Sequence, residues 1–247
     1  MKRQFDVFSG KSVSNIRQNK ESSPKKNGLH IALVLMASGY GKRYGRNKLL
    51  AEFCGKPLFA HALEQAAGSG ADSICVVTRY PEIRDYVDRW KKSMCRDFST
   101  GKEFLENIRF FSAQAPVNLR IIWNFHPERG ISESLRLGLA AQPEADGCCF
   151  VVCDQPLLSV KTLRRMMDVF REHPDSICVC SDGQRRGNPV LFPGDLFGEL
   201  MQLTGDSGGR QILKKYPGRI REIMVEKSEE LYDIDSVKDL EFLKKSF

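Results

Sequence analysis

Hydrophobic residues along this chain fall into short unbroken runs separated by stretches of helical period. The run at 30–36 is aliphatic at every position after His30, with none of the alternation of a half-buried strand. Such a run predicts a strand covered on both faces. Residues 73–78, 119–123, 147–152 and 176–181 have the same character. Between them lie predicted helices. One has Pro57 at its favoured first position and closes at Gly68 and Gly70. Others cover 81 to about 90, 132–141 and 160–172. Further on, 189–192 reads as extended, about 195–203 and 209–215 as helical, 220–225 and 232–234 as strands, and a final helix starts at Ser236. Alternating strands and helices with short links predict an α/β fold, a parallel sheet with helices on both faces. Residues 93–117 interrupt the spacing and read as an inserted excursion with at least one helical turn around 104–110. Residues 1–28 carry no usable periodicity and read as a disordered basic tail, which leaves 29–247 as one domain.

Composition narrows the class. A chain of 247 residues buries roughly 75% of its unfolded surface and folds without staples. The net charge of +7 is concentrated at the start. Lys2, Arg3, Lys11, Arg17, Lys20, Lys25 and Lys26 face only Asp6 and Glu21 there, so the remainder is close to neutral. That balance, with no interleaving of aromatic and basic residues in the remainder, argues against a nucleic-acid binder. The tail itself fits either a passive extension or an interaction arm. The eight cysteines form no C-x-x-C pair, and Cys75, Cys149, Cys153, Cys178 and Cys180 sit in or beside aliphatic runs. They read as small buried hydrophobes with reduced thiols, as in a cytoplasm. No apolar segment resembles a secretory signal, and the run from Ile31 to Ala37 is far short of the roughly 20 residues of a membrane span. A cytoplasmic protein with no membrane partner is expected.

The candidate chemistry starts where the first strand ends. The stretch ASGYGKRYGRNK places Gly39, Gly41 and Gly45 among Lys42, Arg43, Arg46 and Lys48. Ligands of open α/β sheets bind outside the C-terminal strand ends. Glycines there allow close backbone approach, and successive N–H groups form an anion nest. A phosphate-rich ligand is the simplest fit; a solvated basic loop is the plain alternative. Neither the P-loop pattern nor the dinucleotide fingerprint is matched, because Tyr44 stands where each needs a glycine. A second strand runs out into Asp154, followed by Gln155 and Pro156. A carboxylate at that place suits a divalent ion shared with phosphate oxygens, or else caps the turn. Asp233 and Asp235 bracket Ile234 at strand spacing, and Asp235 fits either a metal ligand or a helix cap.

These pieces together resemble the molybdenum cofactor nucleotidyltransferases, a MocA-like and MobA-like group of NTP transferases, and within it the cytidylyltransferase type. The family loop after the first strand is similar to Met36 through Lys48, and its G-K-P-L to Gly55-Lys56-Pro57-Leu58. The pattern of an asparagine followed by a G-[MI]-S-x-S-L helix start fits Asn124, Gly130-Ile131-Ser132, Ser134-Leu135 and Gly138-Leu139. The family's G-D-Q-P corresponds to Cys153-Asp154-Gln155-Pro156, its G-H-P-V-L-F to Gly187 through Phe192, and its G-D-x-G-A-R to Gly205 through Arg210. Its D-I-D motif is Asp233-Ile234-Asp235. The resemblance runs from about Ile31 onward and leaves out the tail and the 93–117 excursion. Three positions depart from it. Ser38 stands where the cytidylyl type has alanine and the guanylyl type glycine; Gly41 replaces a serine; Asn188 replaces a histidine.

The resemblance implies a Rossmann-like nucleotide-diphospho-sugar transferase fold of the GT-A type, a three-layer sandwich with a mainly parallel sheet. It implies transfer of CMP from CTP to a molybdopterin-type molybdenum cofactor with release of pyrophosphate, dependent on Mg2+ or Mn2+. Arg43, Lys48 and Asp154 would be catalytic. Ala37, Ser38, Gly39, Gly41, Arg43, Lys48, Thr78, Gly130 and Ser134 would bind the nucleotide. Asp154 and Asp235 would hold the metal, and Asn188, Pro189, Asp206 and Arg210 would face the pterin. A recipient molybdenum hydroxylase is the implied partner. A guanylyl or sugar-phosphate nucleotidyltransferase, and a non-catalytic cofactor carrier, are the competing readings.

Overall fold

The computed structural model describes residues 28–39, 44, 47–96 and 118–246. The expected tail (1–27), the loop residues 40–43 and 45–46, and 97–117 of the expected excursion lie outside these residues.

The aliphatic runs form one seven-stranded sheet. Its strands are β1 (Ile31–Ala37), β4 (Ser73–Thr78), β5 (Asn118–Trp123), β6 (Gly147–Val152), β7 (Ile177–Ser181), β8 (Arg186–Pro193) and β9 (Ile220–Met224). They lie in the order β5-β4-β1-β6-β8-β7-β9. All run in one direction except β8, which is antiparallel to both β6 and β7. The sheet is mainly parallel, as expected. β1 is central, its edges paired with β4 and β6 and both its faces packed into the core. That position explains why its sequence is apolar throughout.

Helices cover both faces and complete three layers. On one face, Ile31, Leu33 and Leu35 meet α1 (Leu58–Ala67), α2 (Pro81–Arg96) and α4 (Val160–Glu172) through Phe59, Leu63, Ile83, Val87, Leu163 and Phe170. On the other, Ala32 and Val34 meet α3 (Ile131–Ala140), α5 (Phe197–Leu200) and α6 (Arg210–Lys215) through Leu135, Leu139, Phe197 and Ile212. The period-2 alternation of β1 thus feeds two cores. α4 begins as its sequence predicts, with the Ser159 hydroxyl accepting from Thr162 N at 3.1 Å. A third apolar cluster joins Tyr44, Ala51, Phe53 and Leu58 to Ile234, Leu240 and Leu243. It seats α7 (Val237–Ser246) beneath the far end of the basic loop.

Several expectations need correcting. Pro57 flanks α1, which begins at Leu58. α2 continues to Arg96, so the first residues of the expected excursion are helical. The helix expected over about 195–203 is a 3-10 turn, Gly194–Leu196, followed by the single turn of α5. Residues 232–234 join no sheet; the segment is extended, and Ile234 N donates to Asp154 O at 3.0 Å. A small hairpin of β2 (Glu52–Phe53) and β3 (Lys56–Pro57) carries no clear sequence signal. Its turn places Cys54 and Gly55 at φ 47° and 78°, the mirror-image geometry that two-residue hairpins prefer.

Six of the eight cysteines, Cys75, Cys148, Cys149, Cys153, Cys178 and Cys180, are buried free thiols, and Cys54 is an exposed one. Burial pushes the Cys75 thiol up to about 12, so it stays protonated and packs as a hydrophobe. Among the described residues no helix is long and apolar enough to cross a membrane.

Candidate active site

The C-terminal ends of β1 and β6, the turn between β5 and α3, and Asp206 surround a cleft of about 330 Å3. β1 supplies Met36 and the following Ser38 and Gly39; β6 supplies Val152 and leads into Cys153 and Asp154. Lys48 and Leu49 enter from the end of the basic loop, and Asn124, Gly130 and Ser134 from the opposite side.

Lys48 organises the polar floor. Its Nζ lies 2.7 Å from Asp154 Oδ2 and 2.9 Å from Asp235 Oδ1. Burial alone would lower the ammonium's pKa, but the Asp154 and Asp235 carboxylates outweigh it and hold the pKa above the usual lysine value. Lys48 is therefore a permanent cation at neutral pH. The other oxygen of Asp154, Oδ1, is buried with no hydrogen-bond partner among the described residues. An unpartnered carboxylate oxygen is unfavourable unless something arrives to use it. Beside it, burial first and then the Asp154 charge raise the pKa of the Asp233 carboxyl. Asp233 Oδ1 accepts from Gln155 Nε2 at 2.9 Å.

A divalent ion fits this arrangement. Magnesium and manganese favour oxygen donors and are commonly held by one or two carboxylates, with phosphate and water completing the shell. Asp154 offers a bare oxygen, and Asp235 stands across Lys48 from it. Among the described residues no three or more His, Cys, Asp or Glu side chains converge on a metal-sized site. A metal here would need oxygens from its substrate.

The start of the basic loop is braced from below. The Ser38 hydroxyl donates to Val77 O at 3.1 Å, and Thr78 Oγ1 donates to Ala37 O at 3.1 Å. Tyr80 OH donates to Gly39 O at 2.6 Å. The Ser38 hydroxyl hydrogen is therefore committed to the backbone and is not offered to the cleft. Thr78 and Ala37 are wholly buried and support the loop rather than line the cleft. On the far wall, Asn124 Nδ2 donates to Ser134 Oγ at 3.3 Å, while Asn124 Oδ1 accepts from His126 N at 2.9 Å. Gly130 has φ 81°, and a Cβ there would lie 2.4 Å from the Gly205 carbonyl carbon and 2.6 Å from Asp206 Oδ1. Only glycine permits these two loops to meet at the rim.

The structure thus brings Ser38, Gly39, Lys48, Gly130, Ser134, Asp154 and Asp206 together around one cleft, with Asp235 on Lys48. Gly41 and Arg43 lie outside the described residues. Asn188 and Pro189 sit on β8 and Arg210 begins α6; none of the three lines the cleft. Sequence reasoning gave Asn124 and Tyr80 no role, and Gln155 only a part in the choice of base. Asn124 and Gln155 stand inside matched motifs, so a signal existed; nothing marked Tyr80, whose bond to Gly39 bridges two strand ends.

Comparison with known proteins agrees with this geometry. A model of the MobA-like NTP transferase domain matches residues 33–220. The purine catabolism protein PucB of Bacillus subtilis is 25% identical over 225 residues, 86% of this chain and 95% of that protein. The molybdenum cofactor guanylyltransferase of Shewanella woodyi is 24% identical over 185 residues, 74% of this chain and 79% of that one. The crystal structure of Rv0371c from Mycobacterium tuberculosis H37Rv, in complex with manganese, superposes with a TM-score of 0.61 at 24% identity, over 89% of this chain and all of that one.

Proposed function

The chain belongs to the MobA-like NTP transferase domain family, and from that premise we propose that it is a cytidylyltransferase acting on a molybdopterin-type molybdenum cofactor. A terminal phosphate oxygen of the acceptor attacks the α-phosphorus of CTP. The bond from that phosphorus to the β-phosphate oxygen breaks, and pyrophosphate leaves. Such transfers depend on positioning and charge neutralisation more than on covalent help from the protein.

One observation carries the reading: a bare Asp154 oxygen and a Lys48 ammonium at the strand ends, beside a glycine-rich basic loop. Lys48, with Arg43 from the loop, neutralises the triphosphate. Asp154 and Asp235 would hold a divalent ion, magnesium or manganese. When bound, that ion supplies charge neutralisation on the phosphates as pyrophosphate departs. Ser38 and Gly39 leave the backbone open to close approach by the nucleoside, and Gly130 and Ser134 form the opposite wall. Asp206 stands on the acceptor side of the rim, with Asn188, Pro189 and Arg210 farther out. Cytosine is favoured by the inward-turned Ser38 hydroxyl, which leaves this position sterically close to alanine. The second reading, GMP transfer from GTP, draws support from the Shewanella relative, which is named a guanylyltransferase. A molybdenum hydroxylase is the recipient this reading implies.

The test is thermal stabilisation of the full chain by CTP, GTP and UTP, each with and without Mg2+. A ligand at a hundredfold excess over its Kd stabilises the folded state by about 2.7 kcal/mol. A magnesium-dependent shift with CTP alone supports the proposal. A shift with GTP instead selects the guanylyl reading. No shift with any nucleotide leaves a cofactor carrier and overturns both.

A further inference from the structure

The two carboxylates that face Lys48 come from distant parts of the chain. Asp154 follows β6 directly, so the sheet places it. Asp235 precedes α7 and belongs to no sheet. Three contacts fix the segment before it. Ile234 is fully buried in the third cluster, against residues such as Phe53 and Leu58. Its N–H donates to the carbonyl of Asp154 at 3.0 Å. The third is the side-chain bond from Gln155 Nε2 to Asp233 Oδ1. Gln155 is only 2% exposed, and its carbonyl oxygen has no partner among the described residues. Its amide has been buried to make this single bond, at the desolvation penalty of the unused oxygen.

We propose that the Gln155–Asp233 hydrogen bond is a clasp that sets Asp235 opposite Asp154, making Gln155 and Asp233 positioning residues for a divalent-metal site. Each partner is the sequence neighbour, or next-but-one neighbour, of a carboxylate that meets Lys48. The backbone bond through Ile234 holds the segment's position along the strand end. The side-chain bond holds its rotation, because Asp233 and Asp235 flank Ile234 on an extended backbone. With Asp233 directed to Gln155, Asp235 is directed to Lys48. Loss of the clasp leaves Asp235 tied to Lys48 and, through its N–H, to Asp239 Oδ2 at 3.0 Å, but loosens the segment that precedes it. Partners that orient metal ligands in this way are commonly worth 10- to 100-fold in metal affinity.

The inference rests on reading Asp154 and Asp235 as metal ligands, and the experiment separates the two claims. Binding of the Mn2+–tripolyphosphate complex to the full chain is measured from water-proton relaxation enhancement, which reports metal held on the protein rather than free ion. The variants are Gln155→Met, Asp233→Asn, Asp235→Ala and the double variant Gln155→Met with Asp235→Ala. Gln155→Met keeps volume and charge but removes the donor, and about tenfold weaker binding is expected. Asp233→Asn keeps an acceptor oxygen and retains most of the affinity. In the Asp235→Ala background, Gln155→Met has no further effect, since the ligand it positions is gone. A merely structural role would instead lower Tm alike in both backgrounds and leave Mn2+ affinity unchanged. Equal Mn2+ binding by wild type and Gln155→Met overturns the clasp while keeping the metal site. Additive losses in the double variant overturn it as well. No Mn2+ binding by the wild type overturns the metal assignment and the clasp with it.

Discussion

The two ends of the sheet carry depressions that differ in an instructive way. The one at the opposite end, bounded by Asp146, Asp175, Asp195 and Arg219, is the larger, about 460 Å3 against about 330 Å3 for the cleft. Its one cation among the described residues is taken up by the residues around it. Arg219 makes two bonds to the Asp195 carboxylate and two more to the Asp175 carbonyl, and Asp146 accepts from His30 N. The cleft by Lys48 has a buried carboxylate oxygen with no partner among the described residues. Space alone does not mark a site. An unanswered buried charge is the stronger mark, since a carboxylate oxygen without a partner costs more than a neutral amide such as Gln142 Nε2, beside Ser73 at the start of β4.

The sharpest way to break the comparison is Asp154→Asn. If the spare oxygen serves a metal, nucleotidyl transfer falls at least about a hundredfold, several kcal/mol of transition-state stabilisation, while a denaturant midpoint changes little. Near-normal turnover would make the two depressions equivalent. Next is Gly130→Ala. The positive φ and the close approach of Gly205 both oppose a Cβ, so unfolding free energy drops by about 3 kcal/mol in urea titration. An unperturbed midpoint would mean that the rim is loose rather than built. At the other end, Arg219→Ala leaves transfer activity unchanged and lowers stability by about 1 kcal/mol or less, since the Asp195 partner is largely exposed. Lost activity there would show that the far depression is coupled to the chemistry.

The smallest effect concerns pH. His61 on α1 contacts the carbonyl of Phe53 through Nε2 at 2.9 Å, and its ring lies 5.4 Å from the Phe53 ring. Burial lowers its pKa below 6.5, only partly opposed by that hydrogen bond. A depressed folded pKa means that the unfolded chain binds the proton first as pH falls. The contribution is therefore complete above pH 6.5 and is lost as pH drops through 6.5 to the lower folded value. Tm curves of the wild type and His61→Gln, taken between about pH 8 and pH 5, run parallel above that point. Below it the wild type falls faster. Parallel curves throughout would mean that His61 titrates freely.

Much of the fold was legible because burial writes itself into residue type. The strands at 73–78 and 147–152 and the helix at 160–172 have the expected limits, since continuous aliphatics and helical periodicity are local signals. The reversal of β8 was not legible. Its residues suit a buried strand in either direction, and direction depends on the β7–β8 connection and on β6. Residues 232–234 have strand composition but join no ladder: Ile234 N bonds Asp154 O, while Tyr232 N turns back to Glu229 O. In the site, Asp154 and the loop stood out because a strand end in this architecture is a place as well as a residue. The partnership of Gln155 with Asp233 spans too much chain for any local pattern to show it. Thr78 looked like a cleft residue and instead braces Ala37, since a hydroxyl at a strand end serves either role.

On the ribosome, the sheet order makes β1 wait. Ala32 pairs with Ser73 and Ile31 with Gly147, so the strand that launches the basic loop is made early and flanked late. Contacts that far apart in sequence close slowly. Asp235 emerges later still, after all seven strands of the sheet have been synthesised. The sheet's seven strands are therefore all synthesised while Lys48 has only one carboxylate to meet. Under the proposed role of Asp235, catalytic competence follows folding in time, and a growing chain would bind no metal-triphosphate pair until its architecture is ready for it.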